Sequence, residues 1–491
     1  MNAPATILFV AVNARYSHCS HAGRTLLANL GDLAADARLL EADLDTHAMQ
    51  LAADILARAP RLVGFSVYLW NTRLIRDALG ILQRVAPERR VILGGPEIVP
   101  ECADRWRGLA DALVCGEGET AFRDWCLRQV DAPPLKHRRA APEWIAVPDP
   151  PAPTSLHLPY DLYTDDDLRH RVAYVETTRG CPHHCLYCTS CGTGLRRFPL
   201  PVLRDAFAGL MNRGLRQFRF LDRTFNADEA HACAVLDGFL DHLDAVDTLH
   251  LELAPVRLGE ALRERLARFP PNILHLEVGV QTLNAATARR IGRREPRGEV
   301  LEALQFLTRE TQADVHADLI FGLPGEDAAS FAAGFDHLVR LGIGEIQVNR
   351  LKGLPGTPIL RLPELAGAFN PVPPYEVLRT DALSFDALMR LQRFALVWDR
   401  LHNRGRFRHA LPLLWADPGT SPFAAVDHLA RTVHQACGRV HAVGLGDWAL
   451  ALARQLLNGP AEQHAGTLAA LRRDAVLPRD VLSQLAAQAS R

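Results

Sequence analysis

The sequence predicts an α/β protein in three parts: a doubly wound parallel-sheet domain, a (β/α)₆ partial barrel and a helical C-terminal domain. Short apolar strands alternate with helices over the first 130 residues and again from about residue 170 to 350, as in parallel sheets. Eight prolines between residues 131 and 160 separate these stretches and predict an extended linker, because proline lacks the backbone N–H. The expected domains are 1–130, a linker 131–169, a barrel 170–360 and a helical domain 361–491.

The first domain contains four predicted strands, which are short apolar runs at 6–12, 61–69, 90–93 and 111–115. Helical segments at 24–33 and 72–85 lie between them. In a doubly wound sheet, ligands bind in the loops that follow the carboxyl ends of the strands. The candidate ligand crevice is therefore formed by the loops at 13–21, 66–71, 94–97 and 116–119.

The middle part contains six predicted strands, at 172–178, 217–221, 248–253, 274–280, 315–320 and 345–348. Helical segments such as 201–213, 227–243 and 297–308 separate them. Six strand–helix units predict a partial barrel rather than a complete eight-fold one.

In the C-terminal part, apolar residues at helical spacing predict a packed helix face, at Phe385, Leu388, Leu391 and Phe394. The basic stretch 400–408 is expected to be a solvated helix end.

Composition narrows the functional class. The chain has 491 residues with 55 basic and 56 acidic side chains, a net charge of −1, which argues against a general nucleic-acid binder. No apolar run approaches the roughly 20 residues that span a bilayer, and the first strand lacks the basic flank of a signal peptide. We therefore expect a cytoplasmic protein with neither a membrane nor a nucleic acid as partner.

The cysteines point to metal chemistry. Cys181, Cys185 and Cys188 have the spacing C-x₃-C-x₂-C directly after a predicted strand. Three thiolates can hold three irons of a [4Fe–4S] cluster and leave the fourth open for a ligand. The alternative is a zinc knuckle completed by Cys191 or a neighbouring histidine (His183, His184). Structural zinc sites usually join two separated knuckles, and no second C-x₂-C lies elsewhere in the sequence, away from this cluster.

This triad, with Tyr187 before its last cysteine, resembles the signature of the radical S-adenosylmethionine (SAM) superfamily. Segments 220–226, 277–282 and 318–326 resemble further motifs of that superfamily. The resemblance implies that the three cysteines bind the cluster, and that SAM on the open iron is cleaved to methionine and a 5′-deoxyadenosyl radical. It also implies a reducing partner such as flavodoxin or ferredoxin. The candidate SAM contacts are Tyr187, Asp222, Glu252, Glu277, Gln281 and Asp318.

The first domain adds a second resemblance. A doubly wound, flavodoxin-like domain before a radical SAM partial TIM barrel is similar to the cobalamin (vitamin B12)-binding radical SAM proteins. The segments Gly64–Ser66, Gly94–Glu97 and Gly116–Glu119 resemble strand-end loops of that domain. With segments 13–18 and 68–71 and the helical tail, they resemble a bacterial subgroup whose C-terminal domain has no assigned function. The implied cobalamin contacts are Ser66, Gly94, Gly95, Glu97, Gly116 and Gly118.

A departure from some cobalamin domains leaves two interpretations open. The motif D-x-H-x-x-G, whose histidine ligates cobalt, is absent from the sequence. The domain therefore either binds cobalamin without a protein histidine on cobalt or is vestigial. The histidines of the first loop, His18 and His21, are expected to line the ligand crevice.

The expected function is a radical SAM enzyme that uses cobalamin for methyl transfer or a related radical reaction on an unknown substrate, with no catalytic side chain assigned. One alternative is a methylthiotransferase that modifies RNA and holds a second cluster on N-terminal cysteines. The candidates for that second cluster are Cys19, Cys102, Cys115 and Cys126. Of these four, only Cys19 and Cys115 lie in loops at the ends of predicted strands. The other alternative is a non-catalytic cobalamin- or redox-responsive binding protein, which would have no need of the strand-end motifs.

Overall fold

The N-terminal domain is built on a six-stranded, fully parallel sheet in the order β2-β1-β3-β4-β5-β6. The computed structural model describes residues 5–135, 140–256, 258–474 and 481. The order of the first five strands is that of a flavodoxin-like sheet, which confirms the predicted fold class. The strands are β1 Ile7–Asn13, β2 Ala37–Asp43, β3 Leu62–Ser66, β4 Arg90–Gly94, β5 Ala112–Cys115 and β6 Glu143–Ala146.

Four helices cover this sheet: α1 His21–Ala28, α2 Ala48–Leu56, α3 Thr72–Val85 and α4 Glu119–Gln129. The buried residues form one apolar cluster with α2 and α3 and a second with α4, as expected when helices pack on both faces. The predicted helix 24–33 instead begins at His21 because Ser20 caps it, accepting a hydrogen bond from Gly23 N.

Two strands of this sheet, β2 and β6, were not predicted from the sequence. Strand β2 lies at an edge of the sheet and carries charged residues, so it lacks an uninterrupted apolar run. Strand β6 lies at the opposite edge, inside the proline-rich segment, and pairs with β5 from Glu143 to Ala146. The segment predicted as the linker 131–169 therefore also completes the first sheet, which corrects that prediction. An edge strand pairs on one side only, so proline-rich flanks are tolerated there.

The middle domain is an open barrel of six parallel strands in the order β14-β13-β12-β11-β10-β7, as predicted. Its strands are β7 Ala173–Val175, β10 Gln217–Phe220, β11 Thr248–Leu253, β12 Leu274–Gln281, β13 Asp314–Phe321 and β14 Glu345–Arg350. A separate antiparallel pair, β8 Thr178–Arg179 and β9 Arg196–Arg197, lies beside the barrel. The predicted strand 172–178 is thus divided between β7 and β8.

Seven helices accompany the barrel: α5 Asp165–His170, α6 Leu200–Asn212, α7 Glu229–Leu240, α8 Glu260–Arg268, α9 Ala285–Arg290, α10 Arg297–Arg309 and α11 Ala328–Leu341. Buried and half-buried residues alternate along β11, β12 and β13. The buried apolar residues form one core with the helices, so the half-buried polar residues are left for the inner face of the barrel.

The C-terminal region is helical, as predicted: α12 Phe385–Trp398, α13 Pro422–Cys437, α14 Leu445–Leu457 and α15 Ala461–Arg473. Leu388, Leu391 and Phe394 are buried, but Phe385 is 52% exposed because it begins the helix, so its predicted place in the core is wrong. In the basic stretch, Arg404 is exposed, consistent with a solvated helix end. Of the helices described, none has the length and apolarity needed to cross a membrane.

The first domain is attached to the barrel by a buried ion-pair network, which we call the docking network (Arg24, Glu41, Asp167 and Arg171). Arg24 Nη2 lies 2.9 Å from Glu41 Oε2 and 2.7 Å from Asp167 Oδ2. Arg171 Nη1 lies 2.8 Å from Glu41 Oε2 and 2.9 Å from Asp167 Oδ1. The network joins α1 and β2 to α5, so it fixes the first sheet relative to the barrel.

Candidate functional site: the cysteine loop and its surroundings

The three predicted cluster cysteines lie in one loop, between β8 and β9. The short strand pair closes the base of this loop, and Cys181 N donates a hydrogen bond to Thr193 Oγ1 across it, at 3.1 Å. Gly180 has φ +82°, and a side chain there would collide with the carbonyl oxygen of Gly194. Glycine is therefore required immediately before Cys181 for the chain to turn into the loop.

Each of the three sulfurs has a hydrogen-bonding group beside it. Thr224 Oγ1 lies 3.5 Å from Cys181 Sγ, and Ser190 N donates to Cys188 Sγ at 3.4 Å. Arg293 Nη1 donates to Cys185 Sγ at 4.0 Å. Donors aimed at sulfur stabilise thiolates and tune the clusters they bind. The cysteines are free thiols, so these residues fit a [4Fe–4S] cluster held by three ligands.

The groups named for a zinc alternative have other surroundings. His183 Nδ1 lies 3.3 Å from Glu295 Oε1. Cys191 is half-buried in the same loop, and its backbone N–H donates to Cys188 O at 3.3 Å. No set of three or more His, Cys, Asp or Glu side chains in the described part of the chain converges on a single metal ion. A [4Fe–4S] cluster does not require such convergence, because each thiolate binds a different iron.

Tyr187 packs against the barrel core, and its hydroxyl accepts a hydrogen bond from Arg293 Nη1 at 3.4 Å. Burial raises the pKa of Tyr187, so it stays a neutral phenol. Gln281 ends β12 with φ +68°, where the pairing with β13 shifts register. Tyr187 thus lies within the cysteine loop and Gln281 at the carboxyl end of β12, and their predicted SAM contacts stay predictions.

Asp222 has a structural partner set. It is fully buried and accepts hydrogen bonds from Thr177 N at 2.9 Å, Thr177 Oγ1 at 2.5 Å and Thr178 Oγ1 at 2.7 Å. Burial raises the pKa of Asp222 to about 6 despite these donors. The side chain therefore ties the end of β10 to the bend between β7 and β8, which explains why the predicted strand is divided. Its SAM contact stays a prediction.

The other three predicted carboxylates share the inner face of the barrel. His250 Nε2 lies 3.0 Å from Glu277 Oε2, and His316 Nε2 lies 3.4 Å from Asp318 Oδ1. The hydrogen bond from His250 lowers the pKa of Glu277, whereas burial raises the pKa of Asp318. Burial also raises the pKa of Glu252 to about 7. The barrel interior is thus polar and holds groups able to bind hydroxyl or amino groups.

Four of the six predicted cobalamin residues lie at the ends of β3 and β4 or in the loop after β4: Ser66, Gly94, Gly95 and Glu97. Ser66 and Gly94 are the last residues of these strands and are paired with each other. Gly95 has φ +102°, and an added Cβ would lie 2.6 Å from Val67 O. The glycine is required by the close approach of the two loops, whatever ligand lies above them.

Glu97 reaches the C-terminal region. Tyr375 donates a hydrogen bond to Glu97 Oε2 at 2.7 Å, and Arg105 Nη1 donates to the Tyr375 hydroxyl. Both Glu97 and Tyr375 are buried. The predicted cobalamin loop is therefore fixed by a residue about 280 positions further along the chain, which the sequence analysis did not identify.

The loop after β5 reaches the cysteine loop. This loop contains the predicted cobalamin contacts Gly116 and Gly118. Its glutamates form ion pairs with the short strand pair: Glu117 and Glu119 with Arg179 of β8, and Glu117 also with Arg196 of β9. Arg179 Nη1 lies 2.9 Å from Glu117 Oε2 and 2.7 Å from Glu119 Oε1. Arg179 was missed because the opposite charges are about 60 residues apart and no local pattern pairs them.

The cysteines proposed for a second cluster do not share one place. Cys19 is buried in the barrel core, whereas Cys126 is buried in the N-terminal core under α4. Cys102 is buried near Tyr375, and burial raises the pKa of its thiol. His18 and His21, which are expected to line the ligand crevice, contact β7: His18 Nδ1 lies 2.6 Å from the Tyr174 hydroxyl, and His21 Nδ1 lies 3.2 Å from Tyr174 O.

Three family models match the chain, in the order that the fold suggests. The B12 binding domain matches residues 9–125, the radical SAM superfamily matches 175–338, and a family described as a protein of unknown function (DUF4080) matches 366–437. The radical SAM match covers the cysteine loop, which favours a cluster over the zinc alternative.

Among curated proteins, a 2-(S-pantetheinyl)-carbapenam-3-carboxylate methyltransferase from Streptantibioticus cattleyicolor is 24% identical over 341 residues, 63% of this chain and 49% of its own length. The threonylcarbamoyladenosine tRNA methylthiotransferase MtaB of Thermotoga maritima is 22% identical over 198 residues, 39% of this chain and 46% of its own length. The chain thus spans about half the length of the curated relatives it matches.

Among solved structures, the cobalamin-dependent SAM radical enzyme OxsB, with aqua-cobalamin and SAM bound, superimposes with a TM-score of 0.64. The likeness covers 96% of this chain and 84% of OxsB at 12% sequence identity, so it shows the fold. The likeness in fold therefore takes in the N-terminal sheet, the barrel and most of the helical C-terminal region. Consecutive parts of the chain thus match the B12 binding domain, the radical SAM superfamily and the DUF4080 family, in that order.

Proposed function

We propose that this chain is a cobalamin-dependent radical SAM methyltransferase whose substrate is unknown. The observation that carries the proposal is the placement of the two candidate cofactor sites. The loop after β5 of the B12-binding domain forms ion pairs with the base of the cysteine loop. A ligand at the strand ends of the first sheet and a cluster on the cysteines would therefore face one shared space.

When bound, the reduced cluster with SAM supplies radical chemistry, and cobalamin supplies a methyl carrier. The chain's own residues would position these groups. Cys181, Cys185 and Cys188 would each bind one iron, and the donors beside their sulfurs would stabilise the thiolate charge. The polar groups of the barrel interior, Glu252 and Asp318 among them, would contact SAM.

The partner that follows from a radical SAM domain is a source of electrons. We propose flavodoxin or ferredoxin in this role, because a low-potential single-electron donor must reach the cluster. Cys188 and Cys191, at the far end of the loop, are half-buried rather than enclosed. An electron donor would therefore approach this side of the loop.

The test is to purify the full chain without oxygen from cobalamin-fed cells, to measure iron, sulfide and cobalt per chain, and to assay SAM cleavage. Changing Cys181, Cys185 and Cys188 together to alanine should abolish the cluster and SAM cleavage. The matched control is Cys191→Ser in the same loop, which should retain both. Zinc in place of iron after anaerobic reconstitution would refute the cluster, and iron without cobalamin binding would refute the methyl-carrier role.

A further inference from the structure

A second buried ion-pair network joins the B12-binding domain to the base of the cysteine loop; we call it the cluster-side network. Its centre is Arg179, two residues before the first cluster cysteine and only 12% exposed at its side chain. Its carboxylate partners come from both domains: Glu117 and Glu119 from the loop after β5, and Glu176 from the end of β7.

The geometry of Arg179 is fully determined by these partners. Its Nε and Nη2 donate to the two oxygens of Glu176 at 3.0 and 2.8 Å, a bidentate pair. Its Nη1 donates to both Glu117 and Glu119. The side chains of Glu119 and Glu176 are 7% and 8% exposed, so water does not screen these pairs effectively.

The same network holds the other strand of the hairpin. Arg196 Nη1 donates to Glu117 Oε2 at 3.2 Å and to Pro151 O at 2.9 Å, and its Nη2 forms an ion pair with Glu117 Oε1. Arg179 and Arg196 are paired across β8 and β9. Both ends of the cysteine loop are thus held by glutamates of the other domain.

We propose that Glu117 and Glu119 are positioning residues for the iron–sulfur cluster: they hold Arg179 and Arg196, and through the β8–β9 pair they hold Cys181 in place. The inference rests on the proposed function in that it requires a cluster on the three cysteines. The carboxylates of Glu117 and Glu119 already bind arginine. Their proposed role is therefore to hold the cysteine loop, and not to contact a ligand of the first sheet.

The experiment uses the full chain, reconstituted without oxygen, with Glu119→Gln as the main variant. The measurements are iron per chain, the EPR spectrum of the reduced cluster with and without SAM, the rate of cluster bleaching in air, and the cobalamin dissociation constant. The matched control is Asp124→Asn on the same helix α4, whose side chain is 48% exposed and pairs with Arg123.

We expect Glu119→Gln to bleach about tenfold faster and to show an altered EPR spectrum, because Arg179 loses a buried charged partner at 2.7 Å and keeps only the half-buried Glu117 from the B12-binding domain. Glu119→Asp, which retains the charge, should restore part of the lost stability of the cluster. Cobalamin affinity should stay within about twofold of wild type, and the Asp124→Asn variant should behave as wild type.

A wild-type bleaching rate and EPR spectrum in Glu119→Gln, with or without weaker cobalamin binding, would overturn the inference. If Glu119→Gln does not fold, the milder Glu117→Gln, with a side chain 29% exposed, decides between the same outcomes. A wild-type chain that never acquires a cluster would instead refute the proposed function, so the two failures are distinguishable.

Discussion

Removing the charge of Asp167 should loosen the docking network between the first domain and the barrel. Asp167 accepts from Arg24 at 2.7 Å and from Arg171 at 2.9 Å, and its side chain is 8% exposed. Burial by itself would raise the pKa of this carboxyl, but Thr164 N–H and the Arg24 guanidinium together lower it from 3.8 to about 2. That difference is worth about 2 kcal/mol of folding free energy near pH 7.

The perturbation is Asp167→Asn, measured by urea denaturation followed by tryptophan fluorescence. A carboxyl whose folded pKa is lowered contributes its full stability above the unfolded pKa and loses it as the pH falls through the folded pKa. The free energy of unfolding should therefore fall by about 2 kcal/mol at pH 7, by roughly half as much at pH 3, and by almost nothing near pH 1.

The matched control is Asp166→Asn on the same helix, whose side chain is 70% exposed and lies 3.8 Å from His170. An exposed pair of this kind is worth less than about 0.5 kcal/mol. The reasoning is refuted if Asp167→Asn is no more destabilising than Asp166→Asn, or if its effect is the same at pH 7 and pH 3.

Two further predictions concern buried hydrogen bonds. Tyr375→Phe removes the donor to Glu97 and should lower the free energy of unfolding by about 2 kcal/mol, since a buried carboxylate loses a partner; an unchanged thermal midpoint would contradict this. Because burial raises the pKa of Asp222 to about 6, the stability of the wild type should fall, relative to Asp222→Asn, as the pH rises from about 4 to about 6. A pH-independent difference between the two chains would show that Asp222 is not shifted upward.

The fold class could be read from the sequence because it depends on local patterns. Helix α3 was predicted with its observed bounds, Thr72–Val85, since the spacing of apolar residues along one segment determines a helix face. The six barrel strands were likewise found as alternating or apolar runs. Strands β2 and β6 were not, because an edge strand is stabilised by pairing with its neighbour more than by its own composition.

The three candidate cluster cysteines could be identified from the sequence because a metal cluster needs several ligands from one short loop, so their spacing is itself a sequence signal. The residues around them could not. Thr224 and Arg293 approach the sulfurs of Cys181 and Cys185 from 43 and 108 positions away. No local pattern could have paired them with the loop.

The sequence by itself determined the fold class, the barrel type and the three candidate cluster cysteines, all of which depend on residues near one another in the chain. Only the tertiary structure decided that Glu117 and Glu119 bind Arg179, and that Tyr375 holds Glu97. It also decided that Asp222 ties two strand ends together rather than standing free. The physical reason is that buried charges must find opposite charges or donors wherever folding brings them, and chain distance does not limit that choice.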